Sequence, residues 1–386
     1  MRLSRRAMVA PFRAMDVLAE AGRLEAAGRD VVHMEVGEPA YGAPRAARAA
    51  LARAMGTAPL GYTSGLGTEA LRAAIAGLYR ARHGLDLDPG RVVVTAGSSA
   101  GFVLSFLGLF EPGARVALAD PGYPAYRNAL AALGLEVVRV EAGPETRFQP
   151  TPALLASARA GGALDGLIVA TPSNPTGTVL SRDVLAALIE DCAAHATAPI
   201  VDEIYHGLTY DAPAETALAL TDEVVVVNSL SKYWAMTGWR VGWLVVPERL
   251  VRPFQTLAQN LFICAPHAAQ VAALGALSPE GMAEAEAHLA DYRANRDALV
   301  GALCRLGWRD IAPADGAFYA YATLPEGAED SPDFCRRLLA EAGVAATPGL
   351  DFDPVRGHRT VRFSYAQSPE RIAEGIGRLE RFTGRG

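Results

Sequence analysis

Through the middle of the chain, short apolar runs alternate with stretches of helical spacing. Six runs stand out: RVVVTAG (91–97), ARVALAD (114–120), LEVVRVE (135–141), DGLIVATP (165–172), APIVDE (198–203) and DEVVVVN (222–228). Each is too short for a buried helix and rich in β-branched residues, so each reads as a strand. Runs apolar at successive positions are covered on both faces, which predicts a mainly parallel sheet between helical layers. Before this region, residues 15–27 have helical spacing with Val17, Leu18, Ala21 and Leu24 on one face, and VVHMEVGEP (31–39) holds a short strand. Residues 44–55 read as a helix, and another starts at the Thr68 cap. From residue 279 one long helical stretch runs to about 307 and leads to GAFYAYATL, a helix over 333–342 and the strand RTVRFSYA. The first forty residues have no place in the alternation and are expected to pack with this C-terminal part. The prediction is a three-layer α/β/α domain over 41–278 and a smaller α+β domain built from 1–40 with 279–386.

A chain of 386 residues with 51% hydrophobic content has ample material for two cores. Its formal net charge of -6, with no basic stripe, argues against nucleic-acid binding. No stretch approaches the roughly 20 apolar residues of a membrane span. The N-terminal MRLSRRAMVAPFRAM is basic, but Pro11 and Arg13 interrupt any apolar segment, so it reads as an arm. Cys192, Cys264, Cys304 and Cys335 are scattered without a CxxC pair, which fits a reduced cytoplasmic chain with all four as buried small hydrophobes. The seven histidines lack metal-ligand spacing, so no metal is assigned.

In open α/β sheets ligands bind at the carboxyl edge of the strands, and polar or aromatic residues gather there. Gly97, Ser98 and Ser99 follow the first run, Tyr123 the second and Asn174 the fourth; Asp202 closes the fifth and Lys232 follows the sixth. Lys232 sits among Tyr233, Trp234, Met236 and Trp239, apolar enough to desolvate an amine and make it nucleophilic near neutral pH. The sequence GSSAG (97–101) has two readings. It opens a helix whose free N–H groups favour a phosphate, and it also satisfies the GxSxG of a serine hydrolase with Ser99 as nucleophile and Asp202 and His267 or His358 behind it. His206, next to Tyr205, reads as packing.

The motifs SNPTG (173–177), DEIY (202–205), SLSK (229–232) and MTGWRVG (236–242), in that order and ahead of a late arginine, resemble the class I and II aminotransferase family of fold-type I pyridoxal-phosphate enzymes. The resemblance runs from Gly37 to Arg362 and implies a mixed, mainly parallel seven-stranded sheet and a homodimer. It implies that Lys232 holds the cofactor aldehyde as an imine and, once freed, moves the Cα proton, with a pyridoxamine stage between two half-reactions. Asp202 would face the pyridine nitrogen, Tyr205 and Asn174 the phenolic oxygen, and Tyr123 the ring face. Gly97, Ser98, Ser99, Ser229 and Arg240 would hold the phosphate, joined by Tyr62 from the neighbouring subunit. Arg362, with Asn174 and the backbone of Gly37, would grip the α-carboxylate of the amino acid or 2-oxo acid. A β-lyase on the same scaffold is the competing activity. The amino donor is not legible, since no arginine can be placed as a second-carboxylate clamp. Ala40 and Tyr41 stand where the family more often has an acidic and an aromatic residue, and are expected to border the entrance.

Overall fold

The computed structural model describes residues 1–384; the last two residues of the segment expected in the smaller domain lie outside them. Its strands in chain order are β1 (Val32–His33), β2 (Val92–Thr95), β3 (Arg115–Asp120), β4 (Glu136–Glu141), β5 (Gly166–Ala170), β6 (Ala198–Asp202), β7 (Val225–Ser229), β8 (Gly242–Val245), β9 (Tyr319–Thr323), β10 (Val344–Ala345), β11 (Thr347–Pro348) and β12 (Thr360–Ser364). Seven of them form one sheet in the order β2-β8-β7-β6-β5-β3-β4. Strand β8 is antiparallel to both neighbours, and the other pairings are parallel. Six of the seven are the runs read from the pattern. The seventh, Gly242–Val245, is hidden in the sequence because it continues directly from the MTGWRVG motif.

Both faces of this sheet are covered, and successive valines show it. Val226 belongs to one core with Val94, Val201 and Trp243, whereas Val225 and Val227 point into the other with Val93, Ile200 and Leu244. Period-two alternation sends neighbouring side chains to opposite faces, so an unbroken apolar run is what a sheet between two helical layers requires.

A second sheet, β11-β12-β9, is antiparallel, and β1 pairs in parallel with β10. The helix Arg13–Ala26 lays Val17, Ala21 and Leu24 against Val31, Leu339 and Ala345. Leu18, assigned to the same face by spacing, instead lines a cavity. The long stretch after residue 279 is two helices, Pro279–Ala287 and Leu289–Arg305. They meet at His288, whose ring stacks on Tyr41 at 3.6 Å between centroids.

No helix among the described residues is long and apolar enough to cross a membrane. All four cysteines are free; Cys192 and Cys335 are buried, but Cys264 is half-buried and Cys304 exposed, so the expectation of four buried thiols fails for two. Cys304 sits on the outer face of Leu289–Arg305, a position that helical spacing alone did not separate from the buried Leu303 beside it.

Candidate active site

The carboxyl ends of β2, β5, β6 and β7 open into a cavity of about 700 Å³. Gly37, Ser98, Ser99, Tyr123, Asn174, Asp202, Tyr205, Lys232, Arg240 and Arg362 all line it. Ser98, Ser99, Tyr123, Asn174, Asp202, Tyr205 and Lys232 gather because parallel strands deliver their following loops to one edge, whereas Gly37 follows β1 and Arg362 stands on β12.

Lys232 lies three residues beyond the end of β7, and its Nζ donates to the Gly37 carbonyl at 2.7 Å. Burial, with the positive charges of Arg362 and Arg240, pushes its amine down to about 8 against the pull of Glu38 and Asp202. A substantial neutral fraction is therefore present near physiological pH. Asp202, the last residue of β6, is almost fully buried. Burial pushes its carboxyl up to about 6, although the Tyr126 hydroxyl and the Ile204 N–H both donate to it and Lys232 is near. A carboxylate kept dry and without a salt bridge among the described residues is poised to accept a buried cationic N–H.

At the other side, the helix Gly97–Leu109 starts with no side-chain cap, leaving first-turn N–H groups for an anion. Gly97 has φ +76°, and a Cβ there would fall 2.2 Å from an Arg240 guanidinium nitrogen. The glycine is thus what lets the arginine lie against the helix start. Arg240 NH1 donates to the Thr237 carbonyl at 2.8 Å.

Arg362, on β12, is 2% exposed and has no carboxylate partner among the described residues. It donates to Asn174 Oδ1 at 3.0 Å and to the Glu35 carbonyl, and its Nε is left without a partner. The rings of Tyr319 and Phe352 lie 4.4 and 4.6 Å from its guanidinium carbon. A buried cation in that state is costly unless an anion joins it.

Three expected residues stand apart from the lining. Ser229 is buried beneath it and accepts from the Ser231 N–H at 3.1 Å; Ser231 lines the cavity instead. Gly97, the first residue of its helix, is also outside the lining and lies against the Arg240 guanidinium. Tyr62 is 84% exposed and outside this chain's cavity. Ala40 and Tyr41, expected at the entrance, are also absent from the lining: Tyr41 turns away to stack on His288 and bond Asp291. Among the described residues no histidine lines the cavity. His267 and His358 bond the backbone carbonyls of Gly61 and Val355 and lie outside the lining, so neither stands beside Ser99. His206 is buried against Glu203, where burial holds its imidazole well below the usual range.

The cavity also contains residues that the sequence did not single out. Tyr319 Oη hydrogen-bonds Tyr205 Oη at 2.8 Å, and a Cβ on Gly37 would fall 1.7 Å from that same hydroxyl. Phe12 of the N-terminal arm, Met15 and Leu18 of the helix Arg13–Ala26, and Val36 line the cavity, and Tyr126 meets Asp202 from the helix Pro124–Leu133. The spacing of Tyr123 and Tyr126 on the first turn of that helix was the one available hint.

The family model for aminotransferase class I and II matches residues 29–379. A valine–pyruvate aminotransferase of Mycobacterium tuberculosis is 48% identical, over 98% of this chain and 97% of its own length. The crystal structure of an aminotransferase from the same organism matches with a TM-score of 0.96 at 46% identity, covering 100% of both chains. The aspartate aminotransferase of Thermus thermophilus with maleate gives 0.92 at 33% identity, covering 99% of this chain and 100% of that one. The chain belongs to the aminotransferase class I and II family and is a pyridoxal-phosphate-dependent enzyme that moves an amino group from an amino acid to a 2-oxo acid.

Proposed function

We propose that the cavity uses its residues as follows. The donor set fits pyridoxal phosphate: a dry carboxylate in Asp202, a depressed amine in Lys232, and an uncapped helix start beside Arg240. When bound, the cofactor supplies an electron-accepting ring conjugated to an aldehyde carbon. Asp202 would face the ring nitrogen and keep it protonated, Tyr123 would cover the ring, and Tyr205 with Asn174 would address the phenolic oxygen. Ser98, Ser99 and Arg240, with Gly97 and Ser229 just behind the lining, would hold the phosphate. Lys232 would anchor the aldehyde carbon, and its Nζ, once free, would take the proton from the donor's Cα. Arg362 grips the α-carboxylate with a planar fork, helped by Asn174 and the Gly37 backbone.

The observation that carries the substrate assignment is the buried Arg362 without a carboxylate partner among the described residues. Beyond its carboxylate, the donor side chain meets Phe12, Met15, Leu18 and Val36. Among the described residues the other cations lining the cavity are Lys232 and Arg240, both already assigned to the cofactor. We infer an aliphatic donor such as valine with pyruvate as acceptor, which agrees with the name of the Mycobacterium tuberculosis relative. The purified enzyme should form alanine from valine and pyruvate faster than from aspartate or glutamate and pyruvate; a preference for the acidic donors would reject the assignment.

The division into a cofactor-binding domain at 41–278 and a smaller domain at 1–40 with 279–386 is part of the same proposal, supported by the pairing of β1 with β10. So is a homodimer in which Tyr62 reaches the neighbouring copy's phosphate site. Exposed Leu261, Phe262 and Ile263 support a covered face, and sedimentation showing only monomer would contradict it. Free thiols suit a cytoplasmic enzyme.

A further inference from the structure

The N-terminal arm crosses the cavity mouth between two fastenings. Before Phe12, the Ala10 carbonyl accepts from Asn128 Nδ2 at 3.2 Å, and Asn128 belongs to the helix Pro124–Leu133. After Phe12, the N–H groups of Arg13 and Ala14 donate to the two carboxylate oxygens of Asp351, at 3.0 and 3.1 Å. These are the first two N–H groups of the helix Arg13–Ala26, whose N-cap position is Phe12 with no side-chain cap of its own. A helix start needs acceptors for such groups, and a carboxylate there also meets the positive end of the helix dipole. This helix takes its cap from a residue 338 positions away.

Asp351 is itself held rigidly. It is fully buried, and its carbonyl accepts from Arg127, one residue before Asn128. Two residues on, Asp353 receives the N–H groups of Val355 and Arg356 and pairs with Arg139, which also pairs with Asp120 at the end of β3. The residue between them, Phe352, stacks on Arg362. One loop thus fastens the arm and also backs the arginine. Phe12, between the two fastenings, packs edge-on against Tyr123 with centroids 5.9 Å apart and faces the cavity with Met15 and Leu18.

We propose that Asp351 and Asn128 are positioning residues that hold residues 10–14 as a fixed wall of the substrate pocket, making Phe12 a specificity-determining residue for the donor side chain. The proposal rests on the reading of Arg362 as the carboxylate grip, which orients the side chain toward the arm. A fixed apolar wall rewards a branched side chain over a methyl group; a wall that swings free rewards neither.

The test compares Asp351→Asn, Asn128→Ala, Phe12→Ala and Arg362→Lys in the cofactor-loaded enzyme. Single-turnover kcat/KM for valine and for alanine is read from the cofactor absorbance, and tryptic cleavage after Arg13 is timed. The ratio of valine to alanine should fall about tenfold in Phe12→Ala and Asp351→Asn, the range that one or two buried methyl groups supply, with a smaller fall in Asn128→Ala. Cleavage after Arg13 should accelerate in Asp351→Asn, because only one of the two N–H groups flanking that bond keeps a side-chain acceptor. A wild-type ratio in Phe12→Ala, or a protected Arg13 in Asp351→Asn, would overturn the proposal. Phe12 is only half-buried, so its variant decides the matter even if Asp351→Asn does not fold. Arg362→Lys should weaken both donors while keeping their ratio; if it weakens neither, the carboxylate reading has failed rather than the arm.

Discussion

Tyr126 donates its hydroxyl to the carboxylate of Asp202 at the end of β6. The bond opposes burial, the main force raising that carboxyl, and helps hold it at about 6. In Tyr126→Phe the carboxylate loses a charge-assisted donor, and Asp202 should titrate about one pH unit higher. Cofactor affinity, which on the proposed role needs Asp202 ionised, should then fall away at higher pH than in the wild type, so that the defect is larger at pH 6 than at pH 8. Titration of the cofactor-free protein across pH measures this. An unmoved midpoint would mean that Tyr126 only packs.

Arg362→Lys keeps the charge but loses the fork that reaches Asn174 and the Glu35 carbonyl together. KM for the amino donor should rise about ten- to a hundredfold, the worth of a lost charge-assisted hydrogen bond, with a smaller change in kcat. An unchanged KM would contradict the carboxylate assignment.

Gly97→Ala places a Cβ against Arg240 at a backbone φ of +76° that alanine adopts poorly. The affinity for pyridoxal phosphate should fall about tenfold through the displaced charge pair, while that for phosphate-free pyridoxal stays near its wild-type value. Equal losses for both ligands would show that the damage is general rather than at the phosphate.

Glu203 supplies a pH dependence of stability separate from catalysis. Burial pushes it up to about 8, even though Thr216 Oγ and the Ala217 N–H donate to it, against an ordinary value near 4.5. Between those values the native protein keeps a proton that the unfolded chain has released. The stabilisation is therefore complete below 4.5 and is lost as pH rises to about 8. Glu203→Gln should remove a slope of about 1.4 kcal/mol per pH unit from the wild-type curve, read from denaturant midpoints between pH 6 and 8. Identical slopes would contradict the shifted carboxyl.

Much of this site was legible because its parts follow apolar runs. Asn174, Asp202 and Lys232 each stand at or just past a strand end, and a polar residue directly after a valine-rich run is conspicuous. Tyr319 and Tyr126 were not, because an aromatic residue inside a strand or on the first turn of a helix has the same pattern whether it fills a core or faces a ligand. Asp351 was invisible for another reason: its function is to cap a helix that begins 338 residues earlier, and nothing local to either segment records the pairing. Strand β8 escaped notice because it directly continues the motif before it, with no turn residues to mark where it begins. After β1 the lining stops at Glu38, three residues before Tyr41, whose ring turns to His288.

The central claim is that the amine of Lys232 is the covalent anchor of the cofactor. Borohydride reduction of the loaded enzyme followed by peptide mapping tests it directly. The label should be found on the peptide containing Lys232, and Lys232→Ala should take up no stable label and show no multiple turnover. Stable labelling at any other residue, or near-wild-type turnover without this lysine, would contradict it.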